Sequence, residues 1–162
     1  MEVFCQIWKF CLFLFMTFAI TFSVYPAYIF KLNFFDIESG VKYPLIVFMF
    51  GLLDFIGKFG NSLYGLQYNH WFHVLGFGRY FIPVALILSY SIGDGFLKNA
   101  VWFSFVFLVV VALSNGVYVS ACFSLSSESV QNSHKAVCGY LMMMFMLSGI
   151  VLGSIVPMIF LS

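Results

Sequence analysis

The sequence predicts an all-α fold, a polytopic transmembrane helix bundle of five spans. Hydrophobic residues make up 63% of the 162 residues and charged residues only 8%, whereas soluble domains have about 45 to 50% apolar and about 25% charged residues. Five apolar runs are each long enough to cross a bilayer, which takes about 20 residues. Polar turns separate the runs. The chain is therefore expected to form one membrane domain, and its net charge of +1 indicates no nucleic-acid partner.

The five predicted spans are approximately residues 3–30, 43–60, 73–92, 100–125 and 136–161. Polar segments separate them at residues 31–42, 61–72, 93–99 and 126–135. The first span is long enough to tilt or bend, and Pro26 near its end fits either a helix stop or a hinge because it lacks a backbone donor. Ser39 and Gly40 are typical turn residues. Pro44 then suits the first turn of the second span, where a missing N–H costs nothing.

The second span carries one acid and one base, Asp54 and Lys58. Their i, i+4 spacing places both side chains on one helix face and within reach of each other. A charge in the middle of a membrane costs about 2.5 to 3.5 kcal/mol on insertion scales, so such groups face a partner or a water-filled cavity. Two interpretations follow: the pair lines a cavity, or it lies low in the helix and pairs at the membrane interface.

Polar residues also interrupt the later spans. Arg79, near the start of the third span, either extends to the membrane interface or faces the same cavity as Asp54. Asn115 interrupts the fourth span and must face another helix or a polar pathway, because an amide is costly in hydrocarbon. Gly149 and Gly153 form a GxxxG motif in the fifth span, which permits close approach of a neighbouring helix.

No pattern in the sequence indicates an enzyme, a metal or a cofactor. His70 and His73 lie three residues apart without a nearby third ligand, so they are expected to be interfacial. The four cysteines fall in or beside apolar runs and are expected to be packing residues or free thiols. The nucleophile and metalloprotease motifs Gly-x-Ser-x-Gly and His-Glu-x-x-His are absent from the sequence.

The positive-inside rule favours a cytoplasmic N-terminus. Four of the seven basic residues then lie inside, namely Lys9, Lys58, Arg79 and Lys135.

Several stretches resemble the C-terminal half of the equilibrative nucleoside transporter family, helices seven to eleven. They are TFSVYPA at 21–27, FGLLDFIGK at 50–58, GRYFIPVALIL at 78–88, LSNGVYVSACFS at 113–124 and AVCGYLMMMFMLSGIVLGSI at 136–155. The second is similar to the Phe-Asn-x-x-Asp-x-x-Gly-Arg signature of helix eight, and the third resembles the start of helix nine, where an arginine precedes a phenylalanine and a proline. The stretches occur in the family's order and cover nearly the whole chain. The resemblance implies a fold like half of a major-facilitator-like carrier.

The resemblance implies a substrate site on the face of the second span. Asp54 and Lys58 are then expected near the sugar of a nucleoside, with Arg79 and Asn115 close by. Aromatic residues of the first span, Phe22 and Tyr25, are expected to stack on the substrate or to gate its path. The chain departs from the family pattern at two positions, since it has Gly51 where the family has Asn and Lys58 where it has Arg. A lysine lacks the planar, bidentate fork of arginine.

The function implied is facilitative transport of nucleosides or nucleobases by alternating access, in the plasma membrane. The expected partners are the substrate, membrane lipid and an N-terminal six-helix half, in the same chain or another. The sequence is then interpreted as a fragment of a longer carrier, as a true half, or as a non-transporting relative, and the first is favoured. The alternative from another class is a membrane scaffold or assembly subunit that binds other helices through GxxxG.

Overall fold

The computed structural model describes residues 2–25, 39–64, 72, 76, 78–81 and 101–160. Four long helices lie in this part of the chain: α1 Glu2–Val24, α2 Ser39–Tyr64, α3 Val101–Glu128 and α4 Lys135–Phe160. A short 3-10 helix, Asn132–His134, precedes α4. Residues 72, 76 and 78–81 also have helical backbone. No strand occurs among the described residues, and the predicted all-α class is confirmed.

Four segments are long and apolar enough to cross a membrane: 2–24, 40–64, 105–128 and 132–159. This agrees with helices being the form in which a chain satisfies its backbone hydrogen bonds inside lipid. The predicted third span, 73–92, lies mostly outside the described residues, although residues 76 and 78–81 within it are helical. The helical membrane-bundle class is confirmed, and the division into five spans stays a prediction.

Helix α2 is longer than the apolar run that marks it. It begins at Ser39, so Pro44 lies inside the helix rather than in its first turn. At the other end it continues through Asn61 to Tyr64. The helix therefore includes polar residues at both ends. Asp54 consequently lies about 4 Å along the axis from the helix midpoint, at 1.5 Å per residue.

The helices pack chiefly in two pairs, α1 with α4 and α2 with α3, and α1 also contacts α3. Glycines bring the backbones together in the first pair. A Cβ atom on Gly149 would meet the carbonyl oxygen of Phe15 at 2.5 Å, and one on Gly153 would meet that of Ala19. The GxxxG motif therefore faces α1 of the same chain.

The pair α2 and α3 has its own glycine contact. A Cβ atom on Gly57 would meet the carbonyl oxygen of Leu113, and one on Gly116 would meet that of Asp54. Small residues of this kind let helix backbones approach closely in a membrane, where apolar surface alone gives little drive for association. The contact fixes α3 against the part of α2 that holds the acidic residue.

A buried apolar core fills the space between α1, α3 and α4. Its members are Ile7, Phe10, Cys11, Leu14, Phe72, Tyr118, Val119, Ala121, Cys122, Val130, Cys138 and Met142. All four cysteines are free thiols, and three of them are buried. The outward faces of α2 and α4 carry large exposed apolar side chains such as Phe55 and Met158, as expected for helices in contact with lipid or other membrane helices.

Candidate functional site

A network of hydrogen-bonded polar side chains connects α1, α2, α3 and the segment at 78–81. Its members are Thr21, Asp54, Lys58, Arg79 and Asn115. Asn115 stands at the midpoint of α3, and Asp54 is close to the midpoint of α2. These two side chains therefore lie near the middle of their helices, where a charged group is costly unless it is paired.

The Asp54 carboxylate accepts hydrogen bonds from two helices. Lys58 Nζ donates to its Oδ2 at 2.5 Å, and Asn115 Nδ2 donates to its Oδ1 at 2.7 Å. The Asp54 side chain is 14% exposed, and that of Lys58 is 46% exposed. The acid is thus held inside the helix pair, while the ammonium group lies at the edge of the network.

Thr21 connects Asn115 to a second positive charge. Its hydroxyl donates to Asn115 Oδ1 at 3.2 Å and accepts from Arg79 Nη2 at 3.0 Å. A guanidinium can only donate, and a carboxylate can only accept. The bonds therefore point one way, from Arg79 through Thr21 and Asn115 to Asp54. This order agrees with the amide orientation of Asn115, since the opposite orientation would set two acceptors against each other.

Arg79 is buried, with 7% of its surface exposed. Its Nη1 donates to the backbone carbonyl of Ser114 at 3.2 Å, and its guanidinium lies 5.7 Å from the centroid of the Tyr118 ring. The Tyr118 hydroxyl in turn donates to the carbonyl of Phe72 at 2.5 Å. Of the two interpretations of Arg79, extension to the interface is therefore wrong in this structure, and the side chain faces the same network as Asp54.

Gly116 explains why a side chain as short as asparagine can reach across to α2. The glycine lies against the backbone of Asp54, with no room for a Cβ atom. Because the two backbones touch, the neighbouring Asn115 side chain spans the remaining gap to the carboxylate. The sequence pair Asn115–Gly116 thus supplies both the close approach and the polar contact.

An aromatic cluster lies one helical turn from the polar network. The rings of Tyr25 and Phe50 stack with centroids 4.1 Å apart and planes at 17°, and Phe22 meets Tyr25 edge-on at 6.5 Å. Tyr25, directly after α1, follows Thr21 by four residues, and Phe50 precedes Asp54 by four residues on α2. Four residues correspond to about 6 Å along a helix, so the cluster and the network are neighbours.

The structure thus brings four of the sequence-predicted site residues, Asp54, Lys58, Arg79 and Asn115, into one network. Phe22 and Tyr25, the two aromatic ones, lie beside it.

Sequence reasoning missed three participants: Thr21, Phe50 and Tyr118. The i, i+4 relation of Phe50 to Asp54 was a usable signal, as it places both on one face of α2. Gly149 and Gly153 lie apart from the network, at the contact between α1 and α4.

The described residues contain no group of three or more His, Cys, Asp or Glu side chains that could hold a metal ion. His70 and His73, for which the sequence predicts an interfacial position, lie outside the described residues. The site consists instead of hydrogen-bond donors and acceptors next to aromatic rings.

Fold and site together define a polytopic helical membrane protein with an acid, an arginine and an amide inside its bundle and a lysine paired with the acid at the edge. A comparison with family models gives a match to the model described as "Nucleoside transporter", over residues 1–161. The chain therefore belongs to the nucleoside transporter family. Its function is in general the transport of nucleosides through a membrane, as a transporter rather than an enzyme. No curated protein and no solved structure was found to match it.

Proposed function

We propose that this chain forms one wall of a nucleoside pathway and that the Asp54–Lys58 pair binds the sugar during facilitative, alternating-access transport. The observation that carries the proposal is the position of this pair. Asp54 lies near the middle of α2, and Lys58, one turn further along the helix, remains 46% exposed at the edge of an otherwise buried network. A charged group held there favours a polar ligand or water as its neighbour.

The hydrogen-bonding capacity of the pair suits a ribose. An ammonium has three N–H donors, and Lys58 uses one of them on Asp54. Each carboxylate oxygen of Asp54 can accept a further bond beyond the one it already takes. A sugar hydroxyl both donates and accepts, so it can donate to Asp54 while it accepts from Lys58. Hydrogen bonds to charged groups contribute about 1.5 to 3 kcal/mol each.

The aromatic cluster suits the base. Phe22, Tyr25 and Phe50 offer ring faces about one helical turn from the sugar-binding pair. Stacking of a base on an aromatic side chain contributes about 1 to 3 kcal/mol and tolerates different bases. We therefore propose that these rings hold the nucleobase or gate its path, and that Arg79 and Asn115 act behind the pair.

Gly51 supports a role in selectivity for the same face. It precedes Asp54 by one turn, and a Cβ atom placed on it would have no atom within 4 Å. The family signature has an asparagine at the corresponding position, so this chain has open space where that side chain would stand. We propose that the space admits substrates with a substituent that an asparagine would exclude.

A second helical bundle is expected to close the pathway on the side of Lys58. It would belong to the same chain or to another one, and the two bundles would rock about a substrate at their interface. The exposed face of α2 near the pair carries Phe55 and Phe59, at 63% and 57% exposure. Apolar side chains around a polar pair fit a surface that packs against other helices. We propose the plasma membrane as the location.

The scaffold alternative gains no support from the GxxxG motif. Gly149 and Gly153 are both buried against α1 of the same chain, so the motif offers no free surface for a partner helix.

Uptake of labelled adenosine and uridine by cells that make the complete gene product tests the proposal. Asp54→Ala should abolish uptake at unchanged surface expression. The matched control is Glu128→Ala, which removes an exposed acid at the end of α3 and should leave uptake as in the parent protein. Normal transport by Asp54→Ala would remove the pair from the mechanism.

A further inference from the structure

We infer that Thr21 is a positioning residue of the nucleoside site, because its hydroxyl, held between Arg79 and Asn115, sets the orientation in which the Asn115 amide meets Asp54. Thr21 lies on α1, whereas the acid lies on α2 and the amide on α3. The inference rests on the proposed function, since it assigns an indirect role at that same site.

The hydroxyl of Thr21 has a single proton, and its neighbours determine where that proton goes. Arg79 Nη2 lies 3.0 Å away and can only donate. The hydroxyl therefore accepts from Arg79 and gives its own proton to Asn115 Oδ1, 3.2 Å away. The three side chains are buried, with exposed fractions of 1% for Thr21, 7% for Arg79 and 4% for Asn115. Because the three side chains are so deeply buried, bulk water does not reach them to replace a lost hydrogen-bond partner.

This donation fixes the direction of the amide. With Oδ1 of Asn115 occupied by the Thr21 proton, Nδ2 is the end that faces Asp54, where it donates at 2.7 Å. If the hydroxyl were absent, Oδ1 would lose its donor and Arg79 Nη2 would lose its acceptor. The amide would then lack the contact that orients it, and the carboxylate would lose a fixed donor on the side opposite Lys58.

Thr17 provides a matched control on the same helix. It lies four residues before Thr21, is equally buried at 1% exposure, and has its hydroxyl 3.4 Å from that of Tyr80. Both threonines thus make a buried hydroxyl contact with the segment at 78–81, but only Thr21 bonds to the amide that holds Asp54. Replacement of threonine by valine removes the hydroxyl and keeps the branched shape.

The first experiment measures KM and Vmax for uridine uptake by the full transporter, corrected for surface expression. Thr21→Val should raise KM by roughly three- to tenfold, the size of one net hydrogen bond, with Vmax unchanged. Thr21→Ser keeps the hydroxyl and should restore the parent KM, and Thr17→Val should leave it unchanged. Equal KM values for Thr21→Val and Thr17→Val, or failure of Thr21→Ser to restore KM, would overturn the inference.

The second experiment does not depend on transport. A double-mutant cycle compares the unfolding temperatures of the purified full protein with Thr21→Val, Asp54→Asn and both changes. Residues in one hydrogen-bond network give non-additive effects, whereas independent ones add. The cycle should be non-additive, and the same cycle with Thr17→Val should be additive. An additive Thr21 cycle overturns the inference. If the parent protein took up no nucleoside but the cycle was non-additive, the proposed nucleoside transport would be rejected, whereas the role of Thr21 in positioning Asp54 would stand.

Discussion

The two helix pairs of the bundle are held by the same kind of glycine contact, but the polar residue beside the glycine bonds differently in each pair. In α1–α4 a glycine, Gly149, lies against the opposing backbone, and in α2–α3 Gly116 does the same. Each glycine follows a polar residue. Ser148 donates to the carbonyl of Met144 in its own helix at 2.8 Å, whereas Asn115 crosses to α2.

The difference shows what a glycine contact does and does not indicate. Close approach of backbones stabilises helix pairs in lipid in general, so the glycine alone identifies only packing. In the α2–α3 pair, the polar side chain next to the glycine also crosses the contact and meets a charge, and this is the feature on which we base the proposed site. By this criterion we propose that α2–α3 is the functional contact and α1–α4 a structural one.

Gly116→Ala should have the largest effect, because it should lower both the stability of the protein and its uptake of nucleoside. The added Cβ meets the carbonyl of Asp54, and because that atom is backbone, α2 and α3 must move apart. Overpacking of this kind costs about 1 to 3 kcal/mol of folding free energy. The shift also pulls Asn115 from Asp54, so uptake of nucleoside should be lost at matched surface expression. Uptake assays and thermal unfolding of the purified protein measure the two effects.

Gly139→Ala is the control for that substitution. It lies on α4, and a Cβ atom there has no atom within 4 Å. Without a clash, alanine should stabilise the helix by up to about 1 kcal/mol. If Gly116→Ala behaved like Gly139→Ala, the glycine contact between α2 and α3 would not position the site.

Lys58→Met should have the next largest effect on transport. Methionine keeps a long unbranched apolar side chain but removes the charge that donates to Asp54 at 2.5 Å. Loss of a hydrogen bond from a charged group predicts a KM about tenfold to a hundredfold higher.

Lys58→Arg is the matched variant, because arginine restores the charge with a planar, bidentate fork. It should bring KM back to the parent value or below it. A KM for Lys58→Met equal to that of the parent protein would show that the ammonium group does not contribute to substrate binding.

The sequence anticipated the local part of the site. The i, i+4 spacing predicts the contact between Asp54 and Lys58 that the structure contains. The apolar runs likewise predict the helical membrane class, because length and composition determine which segments can lie in lipid.

The rest of the network depends on contacts between residues far apart in the chain. Thr21 is 58 residues from Arg79 and 94 from Asn115, so no local pattern connects them. For the same reason the sequence left Arg79 with two interpretations, and only the packing of α1 and α3 around it excluded one. Pro44 shows the reverse case: its local preference for the first turn gave the wrong start, because α2 begins five residues earlier, at Ser39.

Gly149→Ala tests the structural side of the comparison. Its Cβ would meet the carbonyl oxygen of Phe15 at 2.5 Å, so α1 and α4 must separate. We expect a stability loss of about 1 to 3 kcal/mol, seen as a lower unfolding temperature. The KM for nucleoside should stay the same for the protein that folds, since the polar network lies elsewhere. A raised KM would mean that α1–α4 packing also sets the site.

Met142→Leu should have the smallest effect. Met142 is fully buried in the apolar core, where the Cys11 thiol lies 3.6 Å from its sulfur. Exchange of methionine for leucine conserves volume and usually costs less than about 1.5 kcal/mol. Because this contact belongs to the α1–α4 side, KM should not change, and the unfolding temperature should fall only slightly. A change in KM from so mild a substitution would show that the two helix pairs are coupled, and the division between a structural and a functional contact would then fail.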